Sequence, residues 1–288
     1  MTGRHARLEA QAVAGDRFVA RVLEPSPSPV VLDAPWFADD PVREPPSDGR
    51  PVLGPIAVAD VALTWDEWLA DHPSDSTWAS DRWLGARRGV SAPPPTWSAA
   101  QRRAVHTLAE EVLSPARQRV NAKIGLRWTL GGFGTPFFGA DQRQLRVDRT
   151  GVITQTGDGG VRADPLPPDV DPDVVAWLGD VFGFAWSVLE TIRADLDAPD
   201  ATRVQLWPEH FDAAVAEEPA TYGVSPGDDD IDEPYVYVSL WHDDAAARSP
   251  DRWNATHFPG AVVPVREVDT VDTALSWLRD KRDAIRRP

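Results

Sequence analysis

The stretch Leu206-Trp207-Pro208-Glu209-His210-Phe211-Asp212 gathers an imidazole, two carboxylates and an indole in one short segment. Histidine changes charge near neutral pH, so His210 with Asp212 beside it is a candidate for general acid–base catalysis, the carboxylate orienting the ring. If the chain runs on as a strand past a bulge at Pro208, His210 and Asp212 share one face. Glu209 and Phe211 then take the other, and imidazole and carboxylate lie about 7 Å apart. If Pro208 opens a helix, that pairing is lost. A structural histidine bonded to a neighbouring carboxylate uses the same residues, and the spacing alone does not separate the two.

Tyr235 and Tyr237 follow on a second strand, beyond a turn at Ser225. Polar and aromatic groups from the two strands outline a pocket for a small molecule. His210 and Asp212 are its candidate catalytic residues, and Trp207, Glu209, Tyr235 and Tyr237 its candidate ligand-binding residues; the cofactor is left open. The competing class is a non-catalytic structural or partner-binding protein in which these groups form only a buried hydrogen-bond network. A lesser reading, a metal-dependent enzyme, rests on His210, Asp212, His242 and His257 together with the acidic loop. Imidazole and carboxylate without thiolate would suit zinc, manganese or iron, but no residue is assigned as a metal ligand.

Three further patterns resemble known motifs and fail chemically. Gly223-Val224-Ser225-Pro226-Gly227 fits the G-x-S-x-G nucleophile elbow. That elbow needs a backbone N–H after the serine and a helix directly behind it. Pro226 has no N–H, and an acidic turn follows, so the segment reads as a tight turn with Gly227 free to take positive φ. Asp228, Asp230 and Asp232 alternate as in a calcium loop, yet Glu233 and Ser239 stand where glycine and glutamate are required. Gly131 to Gly139 lacks the Gly-Lys-Ser/Thr ending of a phosphate loop. Its Phe133, Phe137 and Phe138 read first as a bent strand turned into the core and second as pocket lining.

The elements that must position these residues follow from periodicity. Thr64 to Glu67 and Ser98 to Gln101 match capping boxes, predicting helices to about Asp71 and to about Leu113, the latter ending before Pro115; another helix is expected at 77–86. His106 lies beside the stripe Val105, Leu108 and Val112 and reads as a packed side chain bonded to a carbonyl. Every even position from Val120 to Leu130 is apolar, which predicts a strand. Strands are expected at 143–148, 151–156, 160–164, 203–207, 235–241 and 261–265. Asp171-Pro172 starts a long core helix through Ile192, and 271–286 forms a C-terminal amphipathic helix. Antiparallel strands with a few packed helices make an α+β fold: a mostly antiparallel sheet, a long core helix, further packed helices and an extended Pro-rich N-terminal arm. Residues 1–95 form that arm, with short helices packed on the core, and 96–288 the core domain. No internal repeat is visible.

Composition limits the partners. A net charge of −16 opposes phosphate backbones, so nucleic acid is not expected. No run of about 18 apolar residues occurs and no signal-peptide stretch opens the chain, so neither a membrane nor export is expected. Cysteine is absent, which excludes disulfides and thiolate chemistry and fits the cytoplasm. Lys123 and Lys281 are the only lysines among 29 basic residues, and this bias, with the many Ala, Pro, Asp and Val, points to a high-GC bacterial genome.

Taken in order, Leu206 to Asp212, Ser225-Pro-Gly-Asp228, Pro234-Tyr-Val-Tyr-Val238, Trp253-Asn254 and Gly260-Ala261 resemble a bacterial, mostly actinobacterial, family classed as a domain of unknown function. The resemblance spans about residues 100 to 265. It implies one domain there and no particular chemistry.

Overall fold

The computed structural model describes three strands at 7–12, 17–23 and 58–64, and residues 90–286 apart from 130, 137, 140–142, 157–160, 197–200, 203 and 243–251. Strands β1 (Arg7–Ala12), β2 (Arg17–Leu23) and β3 (Val58–Thr64) form an antiparallel sheet in that order. The helices expected after Thr64 and at 77–86, with the rest of the Pro-rich arm, lie outside the described residues.

Helix α1 (Ala99–Thr107) opens as expected, with Ser98 Oγ accepting the Gln101 N–H at 3.4 Å. The Gln101 side chain does not close the capping box. It reaches instead to the start of the long helix, donating to the Asp169 carbonyl at 2.8 Å and accepting from the Asp171 N–H at 3.0 Å.

The expected stop before Pro115 is corrected. A π-helical run, Leu108–Leu113, leads directly into α2 (Ser114–Asn121). Proline lacks an N–H and crowds the carbonyl one turn back; in the widened helix it falls in the first turn of a new segment, where that N–H is not needed. This extension also overturns the strand expected from Val120 to Leu130. Val120 ends on α2 at 42% exposure, Ala122 caps the helix at φ 60°, and only β4 (Arg127–Thr129) is extended. The alternation at 120–124 is chance, since those side chains do not share a sheet face.

Two antiparallel meanders follow, and the fold is α+β. The first is β4, β5 (Gly132–Gly134), β6 (Gln144–Asp148), β7 (Gly151–Gln155) and β8 (Val161–Asp164); the second is β9 (Gln205–Trp207), β10 (Asp212–Glu217), β11 (Ala220–Ser225), β12 (Tyr235–Leu240) and β13 (Gly260–Pro264). Helix α3 (Pro172–Leu196) comes after the first, and a 3-10 turn and α4 (Val271–Arg286) after the second. One element order therefore occurs twice, although the sequence shows no repeat. The meanders meet at their first strands, where Leu126 and Leu206 exchange both backbone hydrogen bonds, at 2.7 and 2.9 Å.

Helix α3 is the centre of the core. Asp171 caps it, its Oδ1 accepting the Asp173 N–H at 2.8 Å. Val174, Leu178, Val181, Phe182, Leu189 and Ile192 are sealed from solvent against β4, β5, β6, β10, β11 and α4. A helix apolar on all sides must be covered on all sides. By composition Pro172–Leu189 could span a membrane, but 78% of it is buried within the protein. Phe133 and Phe138 are buried, at 0% and 2% exposure, so the core reading of the glycine-rich stretch holds for them.

Candidate functional site

Period-two alternation gives the second meander two faces. Ala213, Val215, Tyr222, Val224, Val236 and Val238 join the core. Asp212, Ala214, Thr221, Ser225, Tyr235, Tyr237 and Ser239 line an open cleft of about 1030 Å³ on the opposite face. Arg102, Arg103 and His106 of α1 form one wall, residues 228–231 with His257 and Phe258 the other, and Trp207, Glu209 and His210 the rim. All six residues singled out from sequence, His210, Asp212, Trp207, Glu209, Tyr235 and Tyr237, thus reach one cleft.

The route by which two of them arrive differs from the expectation. Residues 208–211 are neither a bulged strand nor a helix but the turn of a hairpin, with Trp207 paired to Asp212. The Phe211 N–H bonds to the Trp207 carbonyl at 2.7 Å, and Phe211 takes a left-handed φ of 53°. The cost of that backbone is offset by burial: the Phe211 ring meets Phe133 and Phe182 edge-on, at centroid distances of 5.1 and 5.4 Å. His106 braces the turn from outside, its Nε2 at 2.6 Å from the Pro208 carbonyl and its ring stacked on Phe211 at 5.8 Å. His210 is consequently exposed on the turn while Asp212, first residue of β10, is buried. They do not share a strand face, and among the described residues no hydrogen bond joins them. The Asp212 partner is Tyr237.

The Tyr237 hydroxyl donates to Asp212 Oδ2. The pair is diagonal across the sheet, since Tyr237 stands opposite Gly223 in register. Gly223 makes the contact: a Cβ there would meet the Tyr237 ring, so only glycine lets the ring lie across β11 toward β10. Asp212 Oδ1 is buried with no hydrogen-bond partner. Burial pushes the Asp212 carboxyl above the usual carboxylate range; the Tyr237 bond and the charge of His210 work in the other direction. Burial also pushes Tyr237 well above the usual phenol range, reinforced by the Asp212 charge. The phenol therefore remains the proton donor of the pair. A buried polar atom without a partner costs about 1–3 kcal/mol, so an orphan oxygen in the floor of a cleft calls for an explanation.

A second chain runs beside the first. Ser225 ends β11 buried, its Oγ accepting the Gly227 N–H at 3.1 Å, and Gly227 takes φ 114°. The Tyr235 hydroxyl donates to Asp228 Oδ2. Asp228 Oδ1 accepts the N–H groups of Asp230 and Ile231, both at 2.8 Å. Burial and the bond to Asp228 raise the Tyr235 phenol, leaving it unable to act as a base toward Ser225 near neutral pH. Ser225 is at 2% exposure, so the elbow reading fails in three dimensions as it does in one.

The metal reading loses its geometric basis. Among the described residues no three His, Asp or Glu side chains converge as ligands. Asp228 is saturated by protein donors, and His257 faces Asp230 at 3.4 Å. His242 lies beyond the far end of β12, roughly 20 Å along the strand from Tyr235 at about 3.3 Å per residue.

Sequence reasoning missed the roles of Gly223 and Asp228 and the wall from α1. The usable signal for Gly223 was a glycine in a strand next to one carrying Tyr-x-Tyr, which often marks close approach. No protein-family model, curated protein or solved structure matches the chain.

Proposed function

We propose that the cleft on the outer face of the second meander binds a small molecule, with Asp212 as the anchor in its floor and Trp207, Glu209, His210, Tyr235 and Tyr237 around it. The observation that carries this reading is the Asp212 carboxyl: buried, fixed through one oxygen by Tyr237, and left with the other oxygen unpartnered beneath an open cleft. A network serving structure alone satisfies its buried members. Asp228 is satisfied in this way; Trp97, Trp128 and Trp186 Nε1 and Thr129 Oγ1 are buried without partners as Asp212 Oδ1 is, and Asp212 stands apart from them as a carboxyl lining the cleft. Acid–base chemistry by His210 is the enzymatic form of the same proposal, in which a bound ligand, not Asp212, completes the imidazole's hydrogen bonding. The absence of cysteine and the acidic charge accord with a cytoplasmic protein that avoids nucleic acid.

A screen of metabolites by thermal shift, with hits titrated calorimetrically against wild type, Asp212→Asn and His210→Gln, tests the proposal. The expected result is a loss of affinity of about tenfold or more in at least one variant. Hits that bind both variants as tightly as wild type would place the site elsewhere.

A further inference from the structure

Resting on the binding reading just given, the inventory of donors and acceptors in the cleft specifies the charge of the ligand. Around Asp212 the phenolic hydrogens are committed inward, Tyr237 to Asp212 and Tyr235 to Asp228. The group left over beside them is Asp212 Oδ1, which has no hydrogen-bond partner and belongs to a residue only 7% exposed. A carboxylate oxygen can only accept, so its natural complement is a group that gives hydrogen bonds. An ammonium carries three donors and no acceptor.

The surroundings have the same bias. Five carboxyl groups line the cleft, Glu209, Asp212, Asp228, Asp229 and Asp230, against two arginines and three histidines. One of the arginines, Arg102, is already paired with Asp229 at 3.3 Å. The rings of Tyr235, Tyr237 and Phe258 stand in a row, successive centroids 6.0 Å apart, and Trp207 is half-buried on the rim. Aromatic faces attract cations and repel anions. Beside Asp212 an anionic ligand would meet a carboxylate oxygen and the negative faces of rings, the arginines standing on the α1 wall.

We propose that the cleft takes a ligand bearing a protonated amine, seated with its ammonium group against Asp212 and its carbon skeleton along the aromatic row. The groups acting on the Asp212 carboxyl are Tyr237, His210, its own backbone N–H and Asp228. An arriving cation favours the ionised carboxylate, so amine binding releases a proton wherever the free protein holds Asp212 protonated.

Three probes of one shape and different charge test this: 2-phenylethylamine, 2-phenylethanol and phenylacetate, titrated into the full chain by ligand-observed NMR. The amine is expected to bind about tenfold more tightly than the alcohol or the acid, and Asp212→Asn to abolish that preference. Tighter binding of the alcohol or the acid, no binding of any probe, or an unchanged preference in Asp212→Asn overturns the inference. Should that variant not fold, Asp212→Ser, which also removes the charge, is titrated in its place: loss of the preference for the amine supports the inference, and an unchanged preference overturns it. The two proposals fail separately. Neutral or anionic metabolites that lose affinity in Asp212→Asn or His210→Gln defeat the amine and keep the site, whereas metabolites indifferent to both variants defeat the site itself.

Discussion

Tyr237 lies across Gly223 and gives its phenolic hydrogen to Asp212, a residue 25 positions earlier in the chain. Three strands must be in register for this to happen. The bond therefore reports on the outer face of the second meander as a whole.

Gly223→Ala is expected to push the ring off Asp212. The loss of one buried bond to a carboxylate, partly recovered by side-chain adjustment, should cost about 1–2 kcal/mol in urea denaturation. A variant as stable as wild type would show that the ring can shift while keeping its bond.

Asp212 should give stability an unusual pH dependence. Its carboxyl is raised in the folded state by burial, so the folded protein binds the proton more tightly than the unfolded chain. Stability from this group is then greatest below its unfolded value of about 4 and is lost as pH rises toward the folded value. Wild type should lose stability relative to Asp212→Asn between about pH 4 and pH 7. Denaturation of both proteins across that range checks the sign, and a gain by wild type would mean that Asp212 is held as a stabilised carboxylate.

His106 should matter through the turn it braces. His106→Ala removes the contact with the Pro208 carbonyl and the stacking on Phe211, at a cost of roughly 1–2 kcal/mol. His106→Gln keeps a donor and should recover part of the loss. Hydrogen exchange at the Phe211 amide, bonded to Trp207, should quicken in the alanine variant and less so in glutamine.

Gly179→Ala sets packing against helix propensity. Alanine in a helix interior is favoured over glycine by about 1 kcal/mol. A Cβ on Gly179 would stand 2.5 Å from the backbone of Gly131 and Gly132, which has no flexible end to yield. A net loss of about 2–3 kcal/mol in chemical denaturation is expected, and a stabilised variant would show that α3 and the β4–β5 turn can separate freely.

Much of the architecture was legible because it depends on local pattern. The apolar positions of α3 keep helical spacing across the whole element, and Asp171-Pro172 marks its start. The alternation of Tyr235 to Leu240 and the amphipathic run of α4 were equally plain. Strands β10 and β11 were not, for a physical reason. Asp212–Glu217 is rich in alanine, which has little strand preference of its own, and Ala220–Ser225 carries Gly223 at its centre. Both are strands because neighbours on each side supply hydrogen bonds and α3 covers one face.

For the site, residue type was read from the sequence by itself: an imidazole, carboxylates and phenols in two nearby segments, with Pro226 enough to dismiss the serine elbow. Which of them touch was decided only in three dimensions. His210 and Asp212 are two apart in sequence, yet the αL turn at Phe211, anchored by Phe133 and Phe182, leaves one exposed and buries the other. Asp212 and Tyr237 are far apart, yet strand register and the missing side chain of Gly223 join them. Local sequence sets the propensity of a segment. The partners of a buried polar group depend on which strands lie side by side, and that is a property of the folded sheet.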